Sequence, residues 1–273
     1  MNRTLILSTL ALSILTAACG GADAESGGNP QPPPPQGTGG MAPDPVGSGA
    51  GGDGGTIDPT GTGGGGTVIY DDAVGAAYPN SGDGRIVLID PTGTRSTLYN
   101  PATGVFESPD DIDELEGGPP ITEVVAAGRV DTSTYMFDAM GMVTVYDHVQ
   151  ATFSPPEPLA DALDDVPFNA VGAAFGIGSQ LFVFNQGGSS YAAYHVEAET
   201  WSPVYSFLGD FGGGGAPIAS VGAAYTTDDG SIVLFDVSGT GYCVYGGNGQ
   251  FSDDFDIADL GDGMLTFNDT SDD

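Results

Sequence analysis

Lysine is absent from this chain. Of its 273 residues only four are basic, all arginine, against 37 carboxylates, so the formal net charge is −33. Such an imbalance repels a phosphate backbone and excludes nucleic acid as a partner. It leaves two readings open: a solvated, self-repelling surface, or a habitat rich in salt or Ca²⁺ that screens or binds the carboxylates. Cysteine is scarce too. Cys19 and Cys243 offer no disulfide framework, and Cys243, within an apolar run, reads as a small buried residue rather than a reactive thiol. The sequence also lacks a Gly-x-Ser-x-Gly nucleophile motif, and without lysine it has no phosphate loop.

Two histidines make a shared metal or haem site improbable. His148 follows Tyr146 by two residues and His195 follows Tyr194 by one, phases that face opposite sides of equivalent strands. Haem also needs axial ligands that this chain barely has. Carboxylate pairs recur (Asp110-Asp111, Asp164-Asp165, Asp228-Asp229, Asp253-Asp254) at loop positions. They read as solvated surface or loose Ca²⁺ ligands, since acid/base work needs a cleft that separates two pKa values. No catalytic activity is expected.

No apolar run reaches the roughly 20 residues a bilayer demands. Residues 5–18 are 14 in number, follow Arg3 and end in small residues, as an export signal does. Leu15-Thr16-Ala17-Ala18-Cys19 resembles a bacterial lipobox, departing from it in placing Thr16 where a branched aliphatic is usual. The resemblance implies a lipoprotein signal peptide over 1–18 and a diacylglycerol on Cys19; an ordinary secretory signal is the competing reading. Gly20, rather than Asp, after the cysteine fits an exported chain lipid-anchored to the cell envelope at the outer membrane. Residues 20–66 hold 18 glycines and 8 prolines and no aromatic residue. They bury too little to offset chain entropy, so the 19–66 segment reads as a disordered Gly/Pro-rich tether with a reach of roughly 40 Å.

What the chain has in abundance begins after residue 66. Residues 171–202 start Val171-Gly172-Ala173-Ala174-Phe175, and copies stand at Val74, Val124 and Val221, spaced by 50, 47 and 50 residues. Each copy leads to an apolar run ending in Asp90, Asp138, Asn185 or Asp236, then to Tyr99, Tyr146, Tyr194 or Tyr245, then to Phe106, Phe153, Trp201 or Phe251. A period near 50 signals a propeller or solenoid. The runs are short, Gly/Pro-punctuated and without helical period, hence all-β. The second strand of each repeat is apolar on both faces, as in a strand covered from both sides. Small residues first and a large aromatic last suit wedge-shaped blades around an axis. Residues 67–273 are therefore expected to form a four-bladed β-propeller and to behave as a monomer.

The junction Pro155-Pro156-Glu157-Pro158-Leu159-Ala160-Asp161-Ala162-Leu163, then Val166-Pro167-Phe168 and Val171–Phe175, resembles a hemopexin repeat junction over residues 70–262. The resemblance implies four blades in one closed ring. It also implies a cation, Ca²⁺ or Na⁺, in the central channel, held by backbone carbonyls at positions matching Gly75, Val125, Gly172 and Gly222. The alternative at those positions is crowding at the axis. Two departures stand out: the family's inner-strand Asp is missing at all four, and its closing disulfide is impossible with Cys243 alone. Closure must then rest on packing by residues 265–267 or 68–70. Residues 99–106 and 194–201 also resemble the ending of kelch repeats, whose rings need more blades. The expected function is a surface-tethered, non-enzymatic module that binds a protein or polysaccharide through propeller loops. The alternative is a structural or envelope-assembly lipoprotein whose kelch-type propeller docks to another membrane protein.

Overall fold

The computed structural model describes residues 73–80, 82–246, 249–261 and 265–267. The export signal, Cys19, the tether and residues 68–70 lie outside them. Four antiparallel sheets stand around a common axis. Blade 1 is built from Ala76–Pro79, Ile86–Ile89, Arg95–Asn100 and Val105–Phe106; blade 2 from Ala126–Val130, Ser133–Phe137, Met142–Asp147 and Thr152–Phe153. Blade 3 follows with Val171–Ile177, Gln180–Asn185, Ser190–His195 and Thr200–Trp201, and blade 4 with Ala223–Thr226, Ile232–Phe235 and Gly241–Tyr245, which Phe251 joins by an isolated bridge. The chain is an all-β, four-bladed propeller.

The second strands explain why the sheets stack. Ile86 and Leu88 enter the core between blades 1 and 4, while Val87 and Ile89 enter the core between blades 1 and 2. Blade 4 repeats this with Val233 and Phe235 on one side and Ile232 and Leu234 on the other. Alternation along a strand that is apolar throughout thus feeds two cores at once. The inner strands begin small, as expected, but three of them carry a buried aromatic further along, Tyr78, Phe175 or Tyr225. Where two inner strands do crowd, glycine is required. A Cβ on Gly176 would stand 1.8 Å from the Arg129 carbonyl oxygen, and one on Gly128 2.7 Å from Leu181.

A repeated loop ties the ring. Between second and third strands each blade carries Asp or Asn followed three residues later by Gly: 90/93, 138/141, 185/188 and 236/239. The side chain folds the loop by accepting backbone N–H groups, as Asp90 does from Thr94 and Arg95 and Asn185 from Ser189 and Ser190. The glycine, with φ of +73°, +65° and +72° in blades 1, 3 and 4, offers its carbonyl to the next blade. Val124 N donates to Gly93 O (2.8 Å), Val221 N to Gly188 O (3.1 Å) and Val74 N to Gly239 O (3.0 Å). The last of these closes the ring from blade 4 to blade 1. Leu265 and Phe267 are buried in the same seam, as the sequence suggested, and the Tyr99 hydroxyl donates to the Leu260 carbonyl across it. The blade 2–3 seam differs. Its loop is one residue shorter, and Gly141 O accepts from Leu159 N instead (2.8 Å).

The outer strand of each blade is broken. In blade 1 Phe106 pairs with Tyr99 and Asp110 with Ser96, with no ladder between. Serine mends the gap in three blades: the hydroxyls of Ser154, Ser202 and Ser252 accept from Val145, Ala193 and Val244 N–H, each at 2.9 Å. After the break comes a single helical turn opening on a buried apolar residue, Ile112, Leu159, Phe207 or Ile257. The turn Phe207–Asp210 is hidden in the sequence because Gly209, Gly212 and Gly213 make the stretch read as loop.

Candidate functional site

Because all four inner strands run in the same direction, the axis has two distinct mouths. At the entrance end the positions Gly75, Val125, Gly172 and Gly222 line one cavity of about 210 Å³. The fold thus brings together the four positions that the sequence singled out. Axial crowding is not what makes three of them glycine. A Cβ on Gly75, Gly172 or Gly222 would fall 2.5–2.8 Å from the carbonyl of Asp90, Asn185 or Asp236, at the end of the second strand of its own blade. The reason for glycine is contact within a blade, which the sequence reading did not consider. Asp138, the one carboxylate among the described lining residues, is already engaged, accepting from Met140 N (2.9 Å) and Met142 N (2.7 Å). Among the described residues no three His, Cys, Asp or Glu side chains form a metal-binding group. A cation here would therefore depend on main-chain oxygen, which suits a hard ion held loosely.

The exit end is laced. Arg129, near the end of the inner strand of blade 2, reaches blade 1: Nη1 donates to Asn80 O (2.8 Å) and Pro79 O (3.3 Å), and Nε donates to Asp131 O (3.1 Å). Thr226 of blade 4 donates its hydroxyl to Gly176 O of blade 3 (2.7 Å). Beside these contacts lies a cavity of about 460 Å³ bordered by Arg129, Asp131, Thr226 and Asp228. It runs into a second groove of the same size over the blade 1–4 seam, the two sharing Pro79, Asn80, Gly84 and Asp228. The floor of that groove is apolar, from Ile86, Val233, Val244, Pro101 and Ala102. Arg85 at its edge is bound by Asp83 and Glu107, and Asp229 accepts from the Thr227 hydroxyl and Ser231 N, which hold its carboxyl below the usual range. Asp228 is exposed and makes no hydrogen bond or ion pair among the described residues.

The remaining candidates scatter. His148 sits in blade 2 against Thr134 (2.8 Å), its pKa lowered by burial and then by Arg129. His195 lies in blade 3 against Gln180 (3.2 Å). Cys243 is fully buried, and burial, helped by Asp254, pushes its thiol up to about 12. The Tyr78 phenol is wholly buried and raised well above its ordinary range by desolvation, with the Glu116 carboxylate adding to the shift. Asp111 approaches Arg95 at 3.5 Å and Asp256 caps the Ile257–Asp259 turn, so these two acids do edge and capping work. What the sequence reading missed is the exit face. The signal was there: Arg129 is one of four basic residues in the chain and follows directly on Val-Val-Ala-Ala-Gly.

No family model matches the chain, and no curated protein does either. Among solved structures it is similar to the hemopexin fold protein CP4 from cow pea, at 14% identity and a TM-score of 0.54, over 69% of this chain and 95% of that one. A 2S albumin seed protein from Dolichos gives 14% and 0.54 over 68% and 95%. A plant albumin from Cicer arietinum showing hemagglutination gives 16% and 0.53 over 68% and 94%. At these identities the likeness is one of fold: a hemopexin-type ring, as the repeat junction suggested.

Proposed function

We propose that this chain is an exported, lipid-anchored and non-enzymatic binding module, whose propeller is held off the cell envelope by the 19–66 tether and recognises a macromolecule through loops at the exit face. The observation that carries the reading is the continuous groove there: two cavities of about 460 Å³ meet at Pro79, Asn80, Gly84 and Asp228 on a rigid ring. Loops on a fixed scaffold are where recognition residues collect. The groove over the blade 1–4 seam has an apolar floor with polar groups converging at its rim, Asn80, Asp228 and Asp229 among them, the make-up of a ligand site. The Cicer arietinum albumin, similar in fold, is described as showing hemagglutination, which supports a binding reading. Tethering rests on Cys19, and a loosely held Ca²⁺ or Na⁺ at the entrance mouth would stiffen the ring.

The test uses the full chain. Cys19→Ala should move it from the membrane fraction to the soluble one. The released protein, immobilised, should retain an external protein or polysaccharide from envelope and matrix extracts. Retention of nothing sinks the binding reading, and recovery of one stoichiometric membrane protein would favour an assembly part instead. A Cys19→Ala chain that stays on membranes through high-salt washing would remove the lipid anchor from the account.

A further inference from the structure

We propose that the exit-face groove receives a lysine side chain of a basic protein partner. This rests on the binding reading above and narrows it from a macromolecule to one chemical group. A lysine is an apolar stem of four carbons that carries a compact point charge. The groove has the complementary order. Ile86 and Val233 form its base with Pro101 and Ala102 beside them, and Asp228 stands at the shared edge of the two cavities. Its carboxylate lies over Gly84, 3.3 Å from where a Cβ on that glycine would be, and no other described group satisfies it. The two neighbouring guanidinium groups cannot do so as they stand. Arg85 is held by Asp83 and Glu107, and Arg129 by three main-chain carbonyls.

Three alternatives are disfavoured by the same residues. A second copy of this chain contains no lysine to offer. An acidic polysaccharide would meet a net charge of −33, and Asp131, Asp228 and Asp229 line the groove that it would enter. A neutral glycan would want an aromatic platform, and neither cavity has a Phe, Tyr or Trp in its lining. The field that repels these attracts a basic partner and speeds its approach.

The experiment titrates the full-length Cys19→Ala chain with a short Gly/Ser/Ala peptide carrying one central lysine. Counterparts carry norleucine or acetyl-lysine at that position, and amide shifts are followed by NMR. The lysine peptide should perturb Gly84, Ala102 and residues 227–231 and lose affinity as NaCl rises. Both neutral counterparts should bind about tenfold more weakly. Asp228→Asn, which removes a charge but no internal hydrogen bond, should cost the lysine peptide about tenfold and leave the norleucine peptide unchanged. Asp161→Asn, an exposed carboxylate elsewhere, should change neither. No binding of the lysine peptide overturns the proposal, as do shifts spread over the whole acidic surface, equal loss in Asp161→Asn, or a neutral oligosaccharide occupying the groove in the lysine's place. These outcomes leave the module reading standing, because that reading fails only if no partner is retained from the extracts.

Discussion

The four loop glycines provide an internal comparison that tests how the ring is held. Each has a positive φ, so alanine at any of them carries the left-handed penalty of roughly 1–2 kcal/mol. At Gly93, Gly188 and Gly239 the new Cβ would also lie 2.6, 2.1 and 2.4 Å from backbone of Val124, Val221 and Val74, the residues that donate to those loops. Relief of that overlap means pushing two blades apart, with an overpacking cost of about 1–3 kcal/mol and loss of a hydrogen bond worth about 1 kcal/mol. Gly141 is different, because its nearest neighbour would be Asn169 O at 3.9 Å. Gly141→Ala should therefore cost about 1–2 kcal/mol by the dihedral alone, whereas the other three should each cost about 3–6 kcal/mol when overlap and hydrogen bond are added. For a domain of this size the gap corresponds to roughly 4–16 °C in melting temperature, readable by urea titration and calorimetry on the full chain. Gly188→Ala, with the closest approach, should be the worst. Equal losses at all four positions would refute the view that these glycines act between blades.

Trp201 is half-exposed, packed at a tilt against Tyr194 with ring centres 5.0 Å apart and donating from its indole to Asp164 O at 2.8 Å. Trp201→Ala should cost about 2–4 kcal/mol, toward the lower part of the range for large aromatic truncations, and Trp201→Phe about 1 kcal/mol for the lost hydrogen bond, both by urea unfolding. Ser202→Ala leaves Ala193 N–H without its acceptor and should cost about 1–2 kcal/mol, whereas Ser202→Thr should recover most of it. Alkaline pH should destabilise the ring. The Cys243 thiol has its folded pKa raised from 9.0 to about 12, so its contribution is complete below pH 9 and drains away as pH climbs through about 12. Cys243→Ala should flatten the early part of that decline, with the buried Tyr78 and Tyr225, also raised by desolvation, sustaining the rest. Millimolar Ca²⁺ added to chelated protein should raise the melting temperature with a stoichiometry near one if an ion sits at the entrance mouth. Several weak equivalents would place it on the acidic loops.

The period of Val-x-Ala-Ala and the doubly apolar second strands made the ring legible, since both reflect constraints that repeat in every blade. The Asp/Asn-x-x-Gly loop was equally periodic. The acid or amide was noticed as a terminator of the apolar run, but the glycine three residues on was not, because a loop glycine is ordinary until one sees whose backbone it meets. Gly75, Gly172 and Gly222 show a related limit. Their positions around one mouth followed from the repeat, whereas the cause of their small size lay in a carbonyl of the same blade some 14 residues away. The exit-face groove was illegible for a different reason. Ile86, Ala102, Asp228 and Val233 hold unrelated positions in two repeats that meet only when the ring closes, so no spacing within the sequence joins them.

The two-residue outer strands have a consequence for life at high density. A propeller turns four sheet edges toward its surroundings, and a long flat edge is a template on which a neighbouring chain can add its own strand. Molecules confined to one surface by a lipid would meet edge to edge far more often than molecules free in solution. Here each outer rung is cut after at most two residues, and Pro155, Pro156, Pro158 and Pro203, which carry no N–H to share, stand at the cuts in blades 2 and 3. Asp110, Asp111 and Asp256 put charge on the outermost rungs of blades 1 and 4. Such a rim can crowd against its own kind and still decline to polymerise.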